Sequence, residues 1–353
     1  MVRSTLTLTV AFASALFGAT AVQAEDCDDD CTGIFIFGQA TAQSTLQKSR
    51  TVNRVVGDRL APPPGGPTDG GALQYAPDQQ TDDPAALAIA GETATLATND
   101  PELNWNVWFD TSLLYADRSH PLISFDGPLV TVSLGADRAV GEASVIGMLI
   151  NGEYSDFDTG FGAGGNLTSR GFGVGVYAGS ALTDHIVADA MLIWSMIDND
   201  LVEFGTSYNY DSSRIQAAAN LTGYWYRGAW RLSPTLGVAF TYEDQDGYGA
   251  TPSRDLTSGI AIAGFQVGHT TFLDDVRTVE PWVGVNAEWE FQSDGASGFA
   301  GSPNLEPFDV RILGGLNAQL SQTTSASLKA DVAGLARSGY TTATIGGQVA
   351  VRF

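Results

Sequence analysis

The stretch 341–353, TTATIGGQVAVRF, alternates with period two. Phe353, Val351, Val349, Gly347 and Ile345 share one register; Arg352, Ala350, Gln348, Gly346 and Thr344 share the other. Successive side chains of a strand point to opposite sides, so this is a strand with one apolar and one mostly polar face. The pattern runs back to Asn104 and predicts about twelve strands, near 104–116, 128–138, 143–155, 168–180, 184–197, 212–226, 229–243, 257–268, 277–292, 307–320, 324–335 and 341–353. Such a chain pairs its backbone between strands, as an all-β sandwich in water or as a closed barrel in lipid.

The apolar register separates these two. Near 104–116 it holds Trp105, Val107, Phe109, Thr111, Leu113 and Tyr115. Near 277–292, Pro281, Val283, Val285, Ala287, Trp289 and Phe291 face one way, and Glu280, Trp282, Gly284, Asn286, Glu288 and Glu290 the other. Near 307–320, Phe308, Val310, Ile312, Leu316, Ala318 and Leu320 oppose Asp309, Arg311, Asn317 and Gln319. The apolar register is nearly free of charge, as a lipid-facing wall must be, since a charge there costs about 2–4 kcal/mol at mid-bilayer. The links alternate as well. Short ones at 139–142, 180–183, 227–228 and 321–323 take turns with long polar ones at 117–127, 156–167, 198–211, 244–256 and 293–306, and 269–276 is the exception. Short periplasmic turns and longer surface loops give this rhythm. Tyr115, Tyr177, Tyr224, Tyr226, Trp230, Tyr242 and Trp289 lie near strand ends, where aromatic girdles form.

The closing strand resembles that of a bacterial outer-membrane β-barrel, whose terminal Phe and alternating apolar residues are an assembly signal: here Phe353, Val351, Val349 and Ile345. Gly135-Ala136-Asp137-Arg138 with Gly141 and Gly147, followed by Gly173, Gly175, Tyr177 and Gly179, resembles the translocator domain of autotransporters. The resemblance covers 104–353. It implies an all-β membrane protein, a transmembrane antiparallel β-barrel of about twelve strands, with an N-terminal helix in the pore and a passenger outside the cell. It also implies Sec-dependent export, outer-membrane lipid as surroundings, and the β-barrel assembly machinery and periplasmic chaperones as partners. The passenger here is very short, and a long linker separates the helix from the barrel.

The N-terminal region fits an exported chain. Residues 1–24 combine a basic start, an apolar run from Leu6 to Phe17 and a small-residue site at Val22-Gln23-Ala24, so they predict a signal peptide cleaved after Ala24. Residues 25–60 hold an acidic loop and a basic helix. Cys27 and Cys31, the only cysteines, are expected to form a disulfide around Asp28-Asp29-Asp30, with calcium on this loop as the alternative. Residues 39–60 contain no proline and many helix formers, and Lys48, Arg50, Arg54 and Arg59 make them locally basic. Such a helix suits an acid-lined lumen or the periplasm. Residues 61–103 begin with a Pro/Gly/Asp-rich linker.

Function classes narrow accordingly. With 17 Lys+Arg against 40 Asp+Glu the net charge is −23, which argues against nucleic acid as a partner. His120, His185 and His269 are scattered, and no G-x-S-x-G or H-E-x-x-H motif occurs, so no catalytic, cofactor or metal site is expected. Autoproteolysis at Asn99-Asp100, as in some autotransporters, is the exception considered. Inward positions carry the acids Asp110, Glu153, Asp189, Glu280, Glu288, Glu290, Asp309 and Asp331 against Arg214, Arg231, Arg311 and Lys329, and this acidic wall is expected to meet Lys48, Arg50, Arg54 and Arg59 and plug the pore. The leading reading is an anchoring and translocating barrel without catalysis. Its alternatives are a small porin-like channel for ions or solutes, and an adhesin working through 156–167, 198–211 and 244–256.

Overall fold

A computed structural model describes residues 32–62, 105–119, 124–141, 143–160, 165–203, 205–249, 251–294 and 306–353. The leader 1–24, Cys27, Cys31, Asn99, Asp100, His120 and all but the first residues of the linker lie outside them. One helix, α1 (Thr32–Leu60), precedes twelve long strands. These are β1 (Trp105–Arg118), β2 (Phe125–Val140), β3 (Ser144–Thr159), β4 (Gly165–Thr183), β5 (Ile186–Glu203), β6 (Thr206–Gly223), β7 (Trp230–Gln245), β8 (Arg254–His269), β9 (Thr278–Asp294), β10 (Phe308–Gln319), β11 (Thr324–Ala333) and β12 (Tyr340–Arg352). Two short segments, Trp225–Arg227 and Thr271–Phe272, extend the ladders of β7 and β9 at the turns.

Each strand pairs antiparallel with its sequence neighbour, and β12 returns to pair with β1 from Asn106↔Arg352 to Arg118↔Tyr340. The ring is closed. Trp105 and Phe353 exchange backbone hydrogen bonds, each 3.0 Å, at the seam. Short links at 141–143, 184–185 and 320–323 lie at the same end as the seam, which an outer-membrane barrel turns to the periplasm. At that end the longer turn 270–277 is pinned by Asp274. Its carboxylate accepts from the Arg277 backbone N–H (2.6 Å), the Arg277 Nε (2.6 Å) and the Val276 N–H (3.0 Å), and these bonds hold its pKa down at about 2.

The alternation read from sequence places the faces. Along β1 the exposed large apolar residues are Trp105, Phe109, Leu113 and Tyr115, while Asn106, Trp108, Asp110 and Ser112 are buried inside. Ile345, Val349, Val351 and Phe353 are likewise exposed on the outer wall of the closing strand. Three expected girdle residues differ: Tyr177 and Tyr224 point into the lumen and are buried, and Tyr226, opposite inward Arg231, turns into the lumen beside them. Tyr177 sits on the same side as the glycines of β4, so the apolar period assigns it inward once its strand is in register.

The long polar links largely resolve into strand. β4, β5 and β6 run to 19, 18 and 18 residues, and only 204–205 separates β5 from β6, where 198–211 reads as a loop in the sequence. Likewise 156–167 shortens to 160–164, and 244–256 to 246–253. Crossing lipid needs about 9–11 residues per strand, so the surplus stands in water beyond the outer interface. There the outward face turns polar while the inward face turns apolar: Phe157, Leu167, Leu201, Tyr210 and Leu256 are buried against one another inside the outer mouth, so the apolar register changes sides. Carboxylates gather on these extensions: Asp117, Asp126 and Asp158 oppose one another across β1, β2 and β3, and Asp244 faces Asp255. The chain's acid therefore lies on strands as well as in links and lumen.

An arginine at Ile312, which faces outward between Val310 and Leu316, is expected to lower barrel stability by about 2–4 kcal/mol in lipid vesicles. Urea unfolding followed by heat-modifiable gel mobility measures it; an unchanged midpoint would mean that this face does not meet lipid.

Candidate functional site in the barrel lumen

Most barrel interiors of this girth need something to fill them, and here α1 does so. It runs from the outer end, where Thr41 meets Glu243 near the end of β7, to the periplasmic end, where Arg59 meets Asp137 near the end of β2. Its apolar residues Leu46, Val52, Val55 and Val56 are buried against Val187, Met191 and Ile193 of β5, Ala218 of β6 and Ile260 and Ile262 of β8. The helix thus rides on one wall. The inward face of β4 reads Gly171, Gly173, Gly175, Tyr177 and Gly179, and this column of missing side chains lets it approach. A Cβ on Gly179 would collide with Val56, and one on Gly57 with the Tyr224 hydroxyl.

The polar side of α1 is bonded residue by residue. Lys48 Nζ donates to Glu153 (3.0 Å) and Gln216 (2.7 Å), and Ser44 donates to Glu153 as well (2.9 Å). Glu153 also pairs with Arg214, whose Nε reaches Glu243 at 2.7 Å. Arg50 donates to Glu288 (2.6 Å) and lies 3.9 Å from Asp331; Arg311 bridges the same two carboxylates and donates to Gln43 (2.8 Å). Thr51 donates to Asp110 (3.1 Å), Asn53 to Asp189 (2.6 Å), and Arg59 lies 3.3 Å from Asp137. Arg54 donates to the Ser327 hydroxyl (2.8 Å). A buried charge is tolerated only when paired and hydrogen-bonded, and nearly every ion along this contact is shared by two or three partners.

The expected wall partners are only in part those observed. Of the eight inward acids read from the sequence, Asp110, Glu153, Asp189, Glu288 and Asp331 meet the helix, and Glu280, Glu290 and Asp309 do not. Glu280 is taken by Arg231 (2.7 Å), Thr270 (3.1 Å) and Asn317 (3.1 Å), and Glu290 by Arg337 (3.1 Å). Asp309 accepts from the Gly334 N–H (2.9 Å) and lies 3.9 Å from Arg337. The reason is position along the strand: Glu290 and Asp309 stand at the outer end, where the link 334–339 folds in with Arg337. Arg59 meets Asp137, an acid beyond those eight; it too is inward on its strand, a signal present in the alternation. Glu243, two residues from inward Thr241, carries the same signal.

Asp137 ties the helix to the glycine-rich motif. It accepts from Asn106 (2.8 Å) and the Tyr177 hydroxyl (2.9 Å), while Trp108 Nε1 donates to that hydroxyl at 2.6 Å. The two rings sit 6.0 Å apart at 59°. Trp108 lies over Gly135 and Tyr177 over Gly147, where any Cβ would strike the ring. Glycine and aspartate at 135–137, with Gly147 and Tyr177, thus form one joint across β1–β4. A profile of the autotransporter β-domain matches residues 114–331. The chain belongs to the autotransporter family. Its barrel is an outer-membrane translocator. Among solved structures, the autotransporter resembles the β-domain of the Bordetella autotransporter BrkA (16% identity, TM-score 0.59, 71% of this chain and 100% of that one). It also resembles the translocator domain of the autotransporter NalP from Neisseria meningitidis (13%, 0.54, 89% and 99%) and the transport unit of AIDA-I from Escherichia coli (11%, 0.52, 76% and 97%). Identities this low carry the fold alone. A search of curated protein sequences finds no match.

Glu153→Ala leaves Lys48 and Arg214 facing each other without their shared carboxylate. It should destabilise the folded autotransporter by about 3–5 kcal/mol, against about 1.5–3 kcal/mol for Tyr177→Phe, which loses the bond to the Asp137 carboxylate and the acceptor for Trp108 Nε1 but keeps the ring. Unfolding midpoints of the two variants would show the ordering; equal losses would mean that the ionic layer does not hold the helix.

Proposed function

We propose that this autotransporter carries the short segment before Thr32 across the outer membrane and then closes its own pore with α1. The direction of the helix supports the reading: its N-terminus lies at the outer end and Leu60 at the periplasmic end, so chain preceding Thr32 leaves through the outer mouth. The acidic stretch with Cys27 and Cys31 would then be displayed at the cell surface, and the barrel would serve as its anchor without a catalytic role. His185 and His269 fit that role, packing on Trp225 (6.3 Å) and Trp230 (4.7 Å) at the periplasmic rim. Export with removal of 1–24, and insertion by assembly machinery that reads the outward Phe353, Val351, Val349 and Ile345, belong to the same proposal.

The density of bonds between α1 and the wall supports the plug. Lys48, Arg50 and Arg59 each have a carboxylate within 3.3 Å. A porin-like reading draws on one observation, a cavity of 280 Å³ beside the helix. Planar-bilayer conductance separates the two: deletion of 32–60 should open large steady currents from a nearly silent wild type. Equal currents in both would remove the plug.

An epitope and protease site inserted after Asp26 tests translocation. Cutting on intact cells is the expected result. Protection until the outer membrane is opened would sink translocation and leave the channel reading.

A further inference from the structure

Beside α1 the lumen is not filled. A cavity of 280 Å³ lies in its periplasmic half, between the helix from Ser49 to Pro62 and inward residues of β6 to β11. It is large enough to hold an ion with part of its hydration shell. Its lining is unlike the rest of the lumen. Elsewhere each cation of the helix meets a carboxylate. Here Arg54 projects from the helix with the Ser327 hydroxyl as its hydrogen-bond partner, and no carboxylate among the described residues comes within ion-pair distance. Lys329, also on the wall, is held by Thr51 (3.3 Å) with Asp110 at 3.6 Å. Two more donors on lining residues, Trp282 Nε1 and Arg50 Nε, are buried without a partner.

The acids that line the cavity are mostly committed. Glu280 is held by Arg231, Thr270 and Asn317, and Asp331 by Arg311. Asp58 is the exception: among the described residues its carboxylate has no hydrogen-bond or ion-pair partner, while its backbone carbonyl accepts from Arg352 at 2.7 Å. The remaining balance is thus an open guanidinium with donors around it, opposed by one aspartate a helical turn away. Guanidinium matches the flat two-oxygen edge of an oxyanion, and in a confined site such charge-assisted bonds are strong.

We propose that this cavity binds a small oxyanion of the kind of inorganic phosphate, entering from the periplasm, with Arg54 as its principal ligand and Lys329 and Trp282 beside it. Nothing in the translocation reading requires such a site, and binding is read on the assembled barrel, so the two fail separately. The opposing Asp58 sets the sign of a decisive variant.

The test is isothermal titration of inorganic phosphate into the full chain, folded in detergent and checked by heat-modifiable mobility. Saturable binding is expected. Arg54→Gln should weaken it at least about tenfold, the loss of one charge-assisted contact. Asp58→Asn, which removes the repelling charge, should tighten it severalfold, and Arg227→Gln, exposed on the periplasmic turn, should leave it unchanged. Absence of binding, or equal binding in wild type and Arg54→Gln, overturns the proposal. So does weaker binding in Asp58→Asn, and that variant keeps the test open if Arg54→Gln fails to fold.

Discussion

A peptide group left unpaired in hydrocarbon costs several kcal/mol, and a sheet with free edges would carry a row of them. For this autotransporter the pairing of β12 with β1 is therefore the condition on which the rest stands. It sets the strand number even, brings Trp105 and Phe353 to the same end, and encloses a lumen that must be filled. It also decides which register faces lipid. A shift by one residue would turn Arg352, Gln348 and Thr344 outward and take Ile345, Val349 and Val351 inside. The terminal residues are thus specified by both the hydrogen-bond ladder and the wall.

The closed ring inverts the usual arrangement of a globular protein. Apolar side chains go outward, and the interior receives Asp110, Glu153, Asp189, Glu288 and Asp331 with few ways to be hydrated. A basic helix answers that demand, but charge alone would not hold it in register. Leu46, Val52, Val55 and Val56 give α1 a preferred side, the glycines of β4 admit it there, and the ion pairs then form on the flanks. Removing one partner of such a pair costs more than the pair contributes, because the other charge stays buried. Fixed position is the better explanation for the network than raw stability.

Much of this is legible in the sequence because a lipid-facing wall forces a period of two. Strand number, facing and the inward acids all follow from it, and the order of Gly135, Asp137, Gly147 and Tyr177 points to the family. Three things are not legible. The outer ends of β4, β5 and β6 lie in water, where the outward face is polar and the apolar residues Leu167, Leu201 and Tyr210 are on the inward face, so the register read for the wall is lost and 198–211 reads as a loop. The start of α1 at Thr32 rather than near Gln39 is hidden because Ile34-Phe35-Ile36-Phe37 fits a strand as well as a helix. The pairing of Arg59 with Asp137, and of Glu280 with Arg231, depends on height along the barrel axis, which strand shear sets and local sequence does not.

The turn at 204–205 has a consequence for how this surface can change over time. A loop accepts inserted residues with little loss, whereas a hairpin closed by two residues has no spare length and transmits any insertion into the register of β5 and β6. Variation at that rim is confined to substitution of outward side chains such as Asp198, Asp200 and Asp211. Length variation is left to links that already have slack, 246–253 and 295–307, and to the segment ahead of the helix. A lineage of such barrels would diversify by chemistry on β5 and β6 and by size elsewhere.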